Sequence, residues 1–248
     1  MNASELLKKA KEKTIGPEEF LKELSILATG LKRNGYLYSR EEIRLYRTRV
    51  FETDVRPAAI EELSYPPIEK TVLQRANKQG EQVFYSSLGL ATGLVESKVK
   101  VNQYIAISEW INTEELVLQG VGLLPNHQLS NEVEKLYHDI FTWPTDEMYE
   151  YTSIIASHLM NGTTICGLAY PSIASKQPGD NIVLLKKFVD NGLEFVHASL
   201  YQVNSISENE EYTLREIAMG LSESNGRLKW HEGKVNYHFD KWASSSPS

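Results

Sequence analysis

The sequence predicts a protein of mixed α and β structure. Alternation of side chains from Ile43 to Phe51 is typical of a half-buried strand. Apolar residues spaced three and four apart between residues 17 and 31 are typical of an amphipathic helix. With 248 residues, of which 41% are hydrophobic, the chain is long enough to bury a core without disulfides.

Composition excludes several classes of function. A net charge of -7 argues against a general affinity for nucleic acid or anionic membranes. It does not exclude a cleft that is locally basic. The single cysteine, Cys166, excludes an internal disulfide framework and fits a reducing cytoplasm. No apolar run has the length of a signal peptide or a bilayer span. We therefore expect a cytoplasmic protein with no membrane partner and no direct nucleic-acid partner.

Two helices are predicted near the N-terminus. The first runs from Ser4, its predicted cap, to about Lys13. The second begins at Pro17, which suits the first helical position, and ends at Asn34 and Gly35. We expect these helices either to cover the core of the main body or to form an accessory hairpin that packs on a partner.

The rest of the chain is organised around the stretch from Arg75 to Glu96. A polar turn closes on Gly80, which tolerates positive φ. Residues 82–87 have the aromatic and β-branched content of a strand, and the apolar spacing becomes helical from Leu88 onward. This pattern places a carboxylate at the end of an apolar helix, directly after a strand that carries Tyr85.

The remaining elements follow from the same patterns. Three prolines make residues 53–70 a loop. Further strands are predicted at residues 99–107, 115–119, 165–173, 178–185, 193–204 and 212–219, helices at 131–141 and 146–160, and a closing hairpin at 227–238 with its turn at Gly233.

Several familiar sites are absent from the sequence. It contains no CxxC, HExxH, Walker-type or Gly-x-Ser-x-Gly motif. The glycine-rich run from Gly120 to Pro125 lacks the third glycine of a dinucleotide-binding loop, so that interpretation is rejected. The six histidines lack ligand spacing, and no metal site is predicted.

Arg47 and Arg49 fall on the apolar face of the first long strand. Such charges form either a surface ion-pair site or the floor of an anion-binding cleft. Spacing alone leaves both alternatives open.

Three separated segments resemble the RES domain. They are Leu45-Tyr46-Arg47, then Arg75-Ala76-Asn77 with Gly80, Tyr85 and Glu96, and finally Tyr170-Pro171-Ser172 with Gly179 and Asn181. The family is named after an arginine, a glutamate and a serine, which match Arg47, Glu96 and Ser172. Tyr85 and Asn181 match its strand tyrosine and its later asparagine. The resemblance covers about residues 43–200, with departures from the family pattern at Gln74 and Ala174.

The resemblance implies an ADP-ribosyltransferase-like α+β fold with a mixed or antiparallel split sheet and flanking helices. It also implies NAD as substrate and no further cofactor. RES proteins are typically toxins of bacterial toxin–antitoxin pairs, neutralised by a partner with a helix-turn-helix domain. On this basis we expect a helical extension at 1–38, a RES domain at 39–242 and a disordered tail at 243–248. The oligomeric state is left open, a homo-oligomer included.

The resemblance also implies roles for the matched residues. Cleavage of the bond between nicotinamide and ribose develops positive charge on the sugar, and Glu96 would oppose that charge beside the 2-hydroxyl. Arg47 would hold the pyrophosphate with a bidentate fork. Tyr85 would offer a ring for the nicotinamide to stack on, and Ser172 would position the ribose or the amide.

Arg75 and Asn77 would contact phosphate or close over the ligand, while Asn181 and Arg49 complete the predicted substrate-binding set. Arg47, Arg49 and Arg75 are expected to converge and to make the cleft locally basic. The leading hypothesis is an enzyme that splits NAD. The alternatives are an enzyme that transfers ADP-ribose to a macromolecule and a catalytically silent binding module.

Overall fold

In a computed structural model of the chain, the described residues are 1–31, 35–123, 132–172, 180–208, 211–233 and 236–239. They form an α+β fold, as predicted, in which helices pack on a mixed sheet. The helices are α1 (Ala3–Lys11), α2 (Pro17–Leu27), α3 (Leu90–Glu96), α4 (Glu132–Phe141), α5 (Tyr149–Met160) and α6 (Lys186–Gly192). The strands are β1 (Gly35–Tyr38), β2 (Arg44–Phe51), β3 (Val83–Ser87), β4 (Tyr104–Asn112), β5 (Leu116–Gly120), β6 (Gly167–Pro171), β7 (Asp180–Leu185), β8 (Leu193–Ile206), β9 (Tyr212–Ser222), β10 (Leu228–Glu232) and β11 (Asn236–Phe239).

The sheet is split in the middle. Its strand order is β1-β5-β6-β7-β3-β2-β4-β8-β9-β10, with β11 also on β9; β5 and β6 are parallel and the other pairs are antiparallel. β2 pairs with β4 along its whole length, whereas β2 and β3 pair only where Tyr46 faces Ser87. Because the two strands separate beyond that pair, they leave an opening between the halves of the sheet.

The N-terminal helices cover one part of the core. Leu6, Phe20 and Leu24 are fully buried in the same apolar cluster as residues of α4 and α5. The Tyr151 hydroxyl donates to the Ile15 carbonyl oxygen at 2.7 Å, and the Phe20 ring meets the Tyr151 ring edge-on at 5.3 Å. These contacts attach α2 and the turn before it to α5.

The first two helices differ in detail from the prediction. The cap of α1 is Asn2 rather than Ser4, because the Asn2 side chain accepts from the Glu5 backbone N–H at 2.8 Å. α2 ends at Leu27, several residues early, and Gly30 follows with a φ of +79°. The strand β1, which pairs with β5, was not predicted.

Three later elements also differ. β4 begins at Tyr104 rather than at 99, because Lys98 and Asn102 adopt positive φ angles of +49° and +72° in a turn before it. The prediction of a closing hairpin is wrong, since β10 and β11 both pair with β9 rather than with each other. Gly233, which lies between β10 and β11 in the chain, donates its N–H to the Ile217 carbonyl oxygen. The short helix α6 was missed.

The other helices and strands were predicted to within a few residues at each end. Predictions that concern residues outside the described ranges involve Asn34, Pro125, Asn131, Ala174, Gly179 and the tail at 243–248. Within those ranges, no helix combines the length and the hydropathy that crossing a bilayer requires.

Candidate active site

A cavity of ≈ 540 Å³ lies at the split between β2 and β3. Its walls come from both strands, from α3, from the ends of β6 and β7, and from the connection between α4 and α5. The side chains that line it include Arg47, Arg75, Tyr85, Glu96, Tyr170 and Asn181. The volume falls within the range of roughly 300–1,000 Å³ that is usual for small-molecule sites.

Two neighbouring side chains hold the Glu96 carboxylate. The Ser172 hydroxyl donates to Glu96 Oε1 at 2.5 Å, and the Asn181 amide donates to the same oxygen at 2.8 Å. Ser172 directly follows β6 and Asn181 lies in β7, so adjacent antiparallel strands deliver both donors. The carboxylate therefore has a fixed orientation at the cavity wall.

The local sequence explains why Glu96 faces the sheet. Leu94 and Val95 bury one side of α3, which leaves Glu96 at the C-terminal end of the helix, beside β6 and β7. A Cβ atom at Gly93 would lie 2.9 Å from Thr48 Oγ1 and 3.1 Å from Ser87 Oγ. Glycine thus lets the helix approach the opening in the sheet without displacing the Thr48 or Ser87 side chain.

Tyr85 is anchored to the loop that precedes its strand. Its hydroxyl accepts from the Ala76 N–H at 3.0 Å and donates to Asn77 Oδ1 at 2.8 Å. The Asn77 amide in turn donates to the carbonyl oxygens of Val72 and Lys78. Burial raises the pKa of Tyr85 well above its usual value. Asn77 thus shapes the loop and holds the tyrosine, and it is itself only 2% exposed.

Arg47 spans the split. It leaves β2 on the side opposite to Tyr46, its guanidinium lies 5.4 Å from the Phe84 ring, and its Nη1 donates to the Tyr85 carbonyl oxygen at 2.6 Å. Burial, followed by the charge of Arg49, lowers the pKa of Arg47 to about 9, and its Nε has no hydrogen-bond partner among the described residues. The cation therefore bridges two strands that are no longer paired at this point, and among the described residues no carboxylate forms an ion pair with it.

Arg75 joins the cavity to the connection between α4 and α5. Nη1 donates to the Phe141 carbonyl oxygen at 2.8 Å and Nη2 to that of Trp143 at 2.9 Å. Its guanidinium also lies 5.1 Å from the centre of the Tyr149 ring. Arg75 thus positions one wall while contributing its charge to the cavity.

The predicted convergence of three arginines holds for two of them. Arg47 and Arg75 line the cavity, whereas Arg49 lies beside Arg47 and donates to the Ser64 carbonyl oxygen at 2.6 Å without forming part of the lining. Within the described part of the chain, all three donate to backbone carbonyl oxygens, and none forms an ion pair with a carboxylate. The lining is therefore locally basic in an acidic protein.

Sequence reasoning missed part of the lining. Tyr170 lies in β6 two residues before Ser172 and opposite Asn181, so its place between two predicted site residues was a usable signal. Pro144 lies in the connection between α4 and α5 and Tyr149 is the first residue of α5; only tertiary packing brings both to the cavity. No local pattern marks those two residues.

A second cavity of ≈ 720 Å³ lies between α2, α5 and the turn before β3, and its lining includes Lys78, Glu81 and Lys187. Glu81 accepts there from the Ser157 hydroxyl and the Lys78 N–H, so its carboxylate forms hydrogen bonds within the protein. None of the eight predicted site residues lines this second cavity. Across the described ranges, no group of three or more His, Cys, Asp or Glu side chains is placed to hold a metal ion.

Comparison with known proteins gives one positive result. A family model described as the RES domain matches residues 42–205, which is more than half of the chain. The matched segment contains β2 to β7 and all eight predicted site residues, while α1, α2 and β9 lie outside it. None of the curated proteins that were compared matches the chain. The observed split sheet and flanking helices are consistent with the ADP-ribosyltransferase-like fold expected for that family.

Proposed function

This chain belongs to the RES domain family, and from that premise we propose that it is an enzyme that cleaves the bond between nicotinamide and ribose in NAD. The family implies an NAD-related toxin–antitoxin domain. The observation that carries the proposal is the Glu96 carboxylate in the wall of the cavity, held there by hydrogen bonds from Ser172 and Asn181.

The chemistry of the bond explains the need for this arrangement. As the C–N bond breaks, its electron pair moves to the pyridinium nitrogen and nicotinamide leaves as a neutral molecule. Positive charge develops on the ribose, as in glycoside hydrolysis. A carboxylate that is already oriented stabilises this charge without reorganising, and the donors on Glu96 Oε1 provide that orientation. Water then adds to the anomeric carbon and loses a proton.

The charges and aromatic rings of the cavity suit the rest of the dinucleotide. The pyrophosphate carries two negative charges, and Arg47 and Arg75 supply positive charge without carboxylate partners among the described residues. Tyr85, Tyr149 and Tyr170 supply rings against which the nicotinamide could pack. In this account Ser172 and Asn181 act through Glu96, which replaces the direct ribose contact expected for Ser172.

A product assay tests the proposal. Purified full-length protein is incubated with NAD, and free nicotinamide and ADP-ribose are quantified by chromatography. We expect the two products in equal amounts, with release strongly reduced in Glu96→Gln. Release by the wild type no greater than by the variant would contradict the proposal. ADP-ribose attached to protein, with little of it free, would instead identify a transferase.

The biological role belongs to the same proposal. An enzyme that depletes NAD would act as a bacterial toxin or defence effector, held inactive by an antitoxin partner. Induced expression of the wild-type protein should lower cellular NAD and arrest growth, whereas expression of Glu96→Gln should do neither. Growth arrest with unchanged NAD would contradict this role.

A further inference from the structure

Tyr170 lines the cavity beside the catalytic carboxylate, and the mechanism above uses its ring but not its hydroxyl. Its ring packs against Phe141 with the ring centres 5.8 Å apart, and the residue is 4% exposed. In the sheet it lies opposite Asn181, whose amide holds Glu96. Tyr170 is therefore a buried side chain in the wall of the cavity, next to the group proposed to act on the ribose.

Among the described residues, no side chain or backbone group forms a hydrogen bond with the Tyr170 hydroxyl. By contrast, the Tyr85 hydroxyl forms two and the Tyr151 hydroxyl donates to Ile15. The oxygen is not among the fully buried polar atoms that lack a partner, so this hydroxyl is accessible from the cavity although the residue as a whole is buried. Since Tyr170 lines the cavity, a bound ligand is the natural partner.

The chemistry of the phenol makes it available as a hydrogen-bond donor. Burial, and then the charges of Tyr85 and Glu96, raise the pKa of Tyr170 well above its usual value. The phenol therefore keeps its proton at neutral pH and is available as a donor. Glu96 Oε1 already accepts from Ser172 and Asn181, so the carboxylate is held without help from Tyr170.

We propose that Tyr170 is a substrate-binding residue whose hydroxyl donates a hydrogen bond to an acceptor on the nicotinamide riboside half of NAD. This inference rests on the proposed function and assigns a specificity contact within that site. The half of the dinucleotide follows from position, because Tyr170 lies beside the residue that holds Glu96.

Two phenylalanine variants of the full chain provide the test. Tyr170→Phe removes only the hydroxyl and keeps the ring against Phe141. We expect the KM for NAD to rise about tenfold, the effect of one buried hydrogen bond, with kcat within about twofold and Tm unchanged at neutral pH. Tyr151→Phe is the matched control, because Tyr151 is equally buried at 4% exposure but donates to the protein. It should lower Tm and leave KM unchanged.

AMP provides the positional control, because it shares only the adenosine half of NAD. Its inhibition constant should be the same for Tyr170→Phe and wild type. Equal weakening of AMP and NAD binding would overturn the placement, and an unchanged KM would overturn the contact, with the proposed function still standing. If the wild type releases no nicotinamide, the proposed function fails and the inference fails with it.

Discussion

The two flanks of β2 have opposite characters. Toward β4 the ladder is unbroken, from Arg44 opposite Ile111 to Phe51 opposite Tyr104. Toward β3 only one residue pair remains, and an arginine side chain bridges the two strands where further ladder bonds would lie. The closed flank holds buried apolar residues, whereas the open flank holds the cavity, whose lining includes Glu96, Arg47 and Arg75.

This difference shows how a sheet can provide both rigidity and a site. The continuous ladder fixes β2 in place, so that its neighbour β3 can separate from it without loss of the fold. Backbone groups released by the separation need other partners, and the Arg47 guanidinium supplies one to the Tyr85 carbonyl oxygen. If the account is correct, matched substitutions on the two flanks should have different effects.

The largest expected contrast is between two glutamates. Glu96→Gln should lower kcat for nicotinamide release by about 10²–10³, because it removes one charge that stabilises the transition state. Glu109→Gln, on the closed flank, removes a carboxylate that pairs with Arg44 and should leave kcat within about twofold of wild type. Steady-state kinetics on both proteins makes the comparison. Equal losses in the two variants would contradict the distinction between the flanks.

The next largest effects on kcat are expected from removal of the two residues that donate hydrogen bonds to Glu96. Ser172→Ala and Asn181→Ala should each lower kcat by about 20-fold, the effect of losing one hydrogen bond to a charged group. In the Glu96→Gln background the same changes should have much smaller effects, since both residues act through that carboxylate. Additive losses across the double mutants would contradict a positioning role.

Asn112→Ala is the control on the closed flank. Asn112 is fully buried, and its amide donates to the carbonyl oxygens of Ser39 and Glu114. Its removal should lower Tm and leave kcat unchanged. A fall in kcat as large as that of Asn181→Ala would show that general loosening of the fold, rather than alignment of Glu96, controls the rate.

Substitution of the two arginines on one face of β2 should distinguish a residue that binds substrate from one that only stabilises the fold. Arg47→Met should raise the KM for NAD about tenfold, because its charge lies at the cavity. Arg49→Met should leave KM near the wild-type value, since the Arg49 guanidinium contacts Ser64 and does not line the cavity. A larger KM effect from Arg49 would return that residue to the substrate-binding set.

The smallest expected effect is on stability at alkaline pH. Burial raises the pKa values of Tyr85 and Tyr170 above the usual 10.0. In the unfolded chain these phenols lose their protons near pH 10, where the folded chain keeps them, so stability present below pH 10 is lost as the pH rises further. Each such group contributes a slope of up to about 1.4 kcal/mol per pH unit. Tyr170→Phe should therefore lose less free energy of unfolding than wild type between pH 10 and 11, and identical curves would contradict the assignment.

The sequence predicted the strands and the helix that carry Arg47, Tyr85 and Glu96, because each has a clear period of two or of three to four residues. Ser172 and Asn181 were predicted as site residues only from the family resemblance. Local patterns alone would identify Ser172 as a residue of a turn and Asn181 as a residue of a strand, without a function. The bridging of the split by Arg47 could not be predicted, because it depends on two strands separating in space. For the same reason the wall formed by Pro144 and Tyr149 carries no local signal.

The predictions failed where pairing partners lie far apart in the chain. β1 is short and pairs with β5, about 80 residues later, so its local pattern is weak. β10 and β11 share β9 as a partner, which alternation within residues 227–238 does not reveal. Turn residues with positive φ, such as Asn102, displaced the start of β4 for a purely local reason.

The most direct test of the central claim is an experimental structure of the Glu96→Gln variant with NAD bound. The account predicts that the nicotinamide riboside lies in the opening between β2 and β3, with the anomeric carbon beside the substituted side chain and the pyrophosphate toward Arg47 and Arg75. NAD bound instead in the second cavity, between α2 and α5, would contradict it.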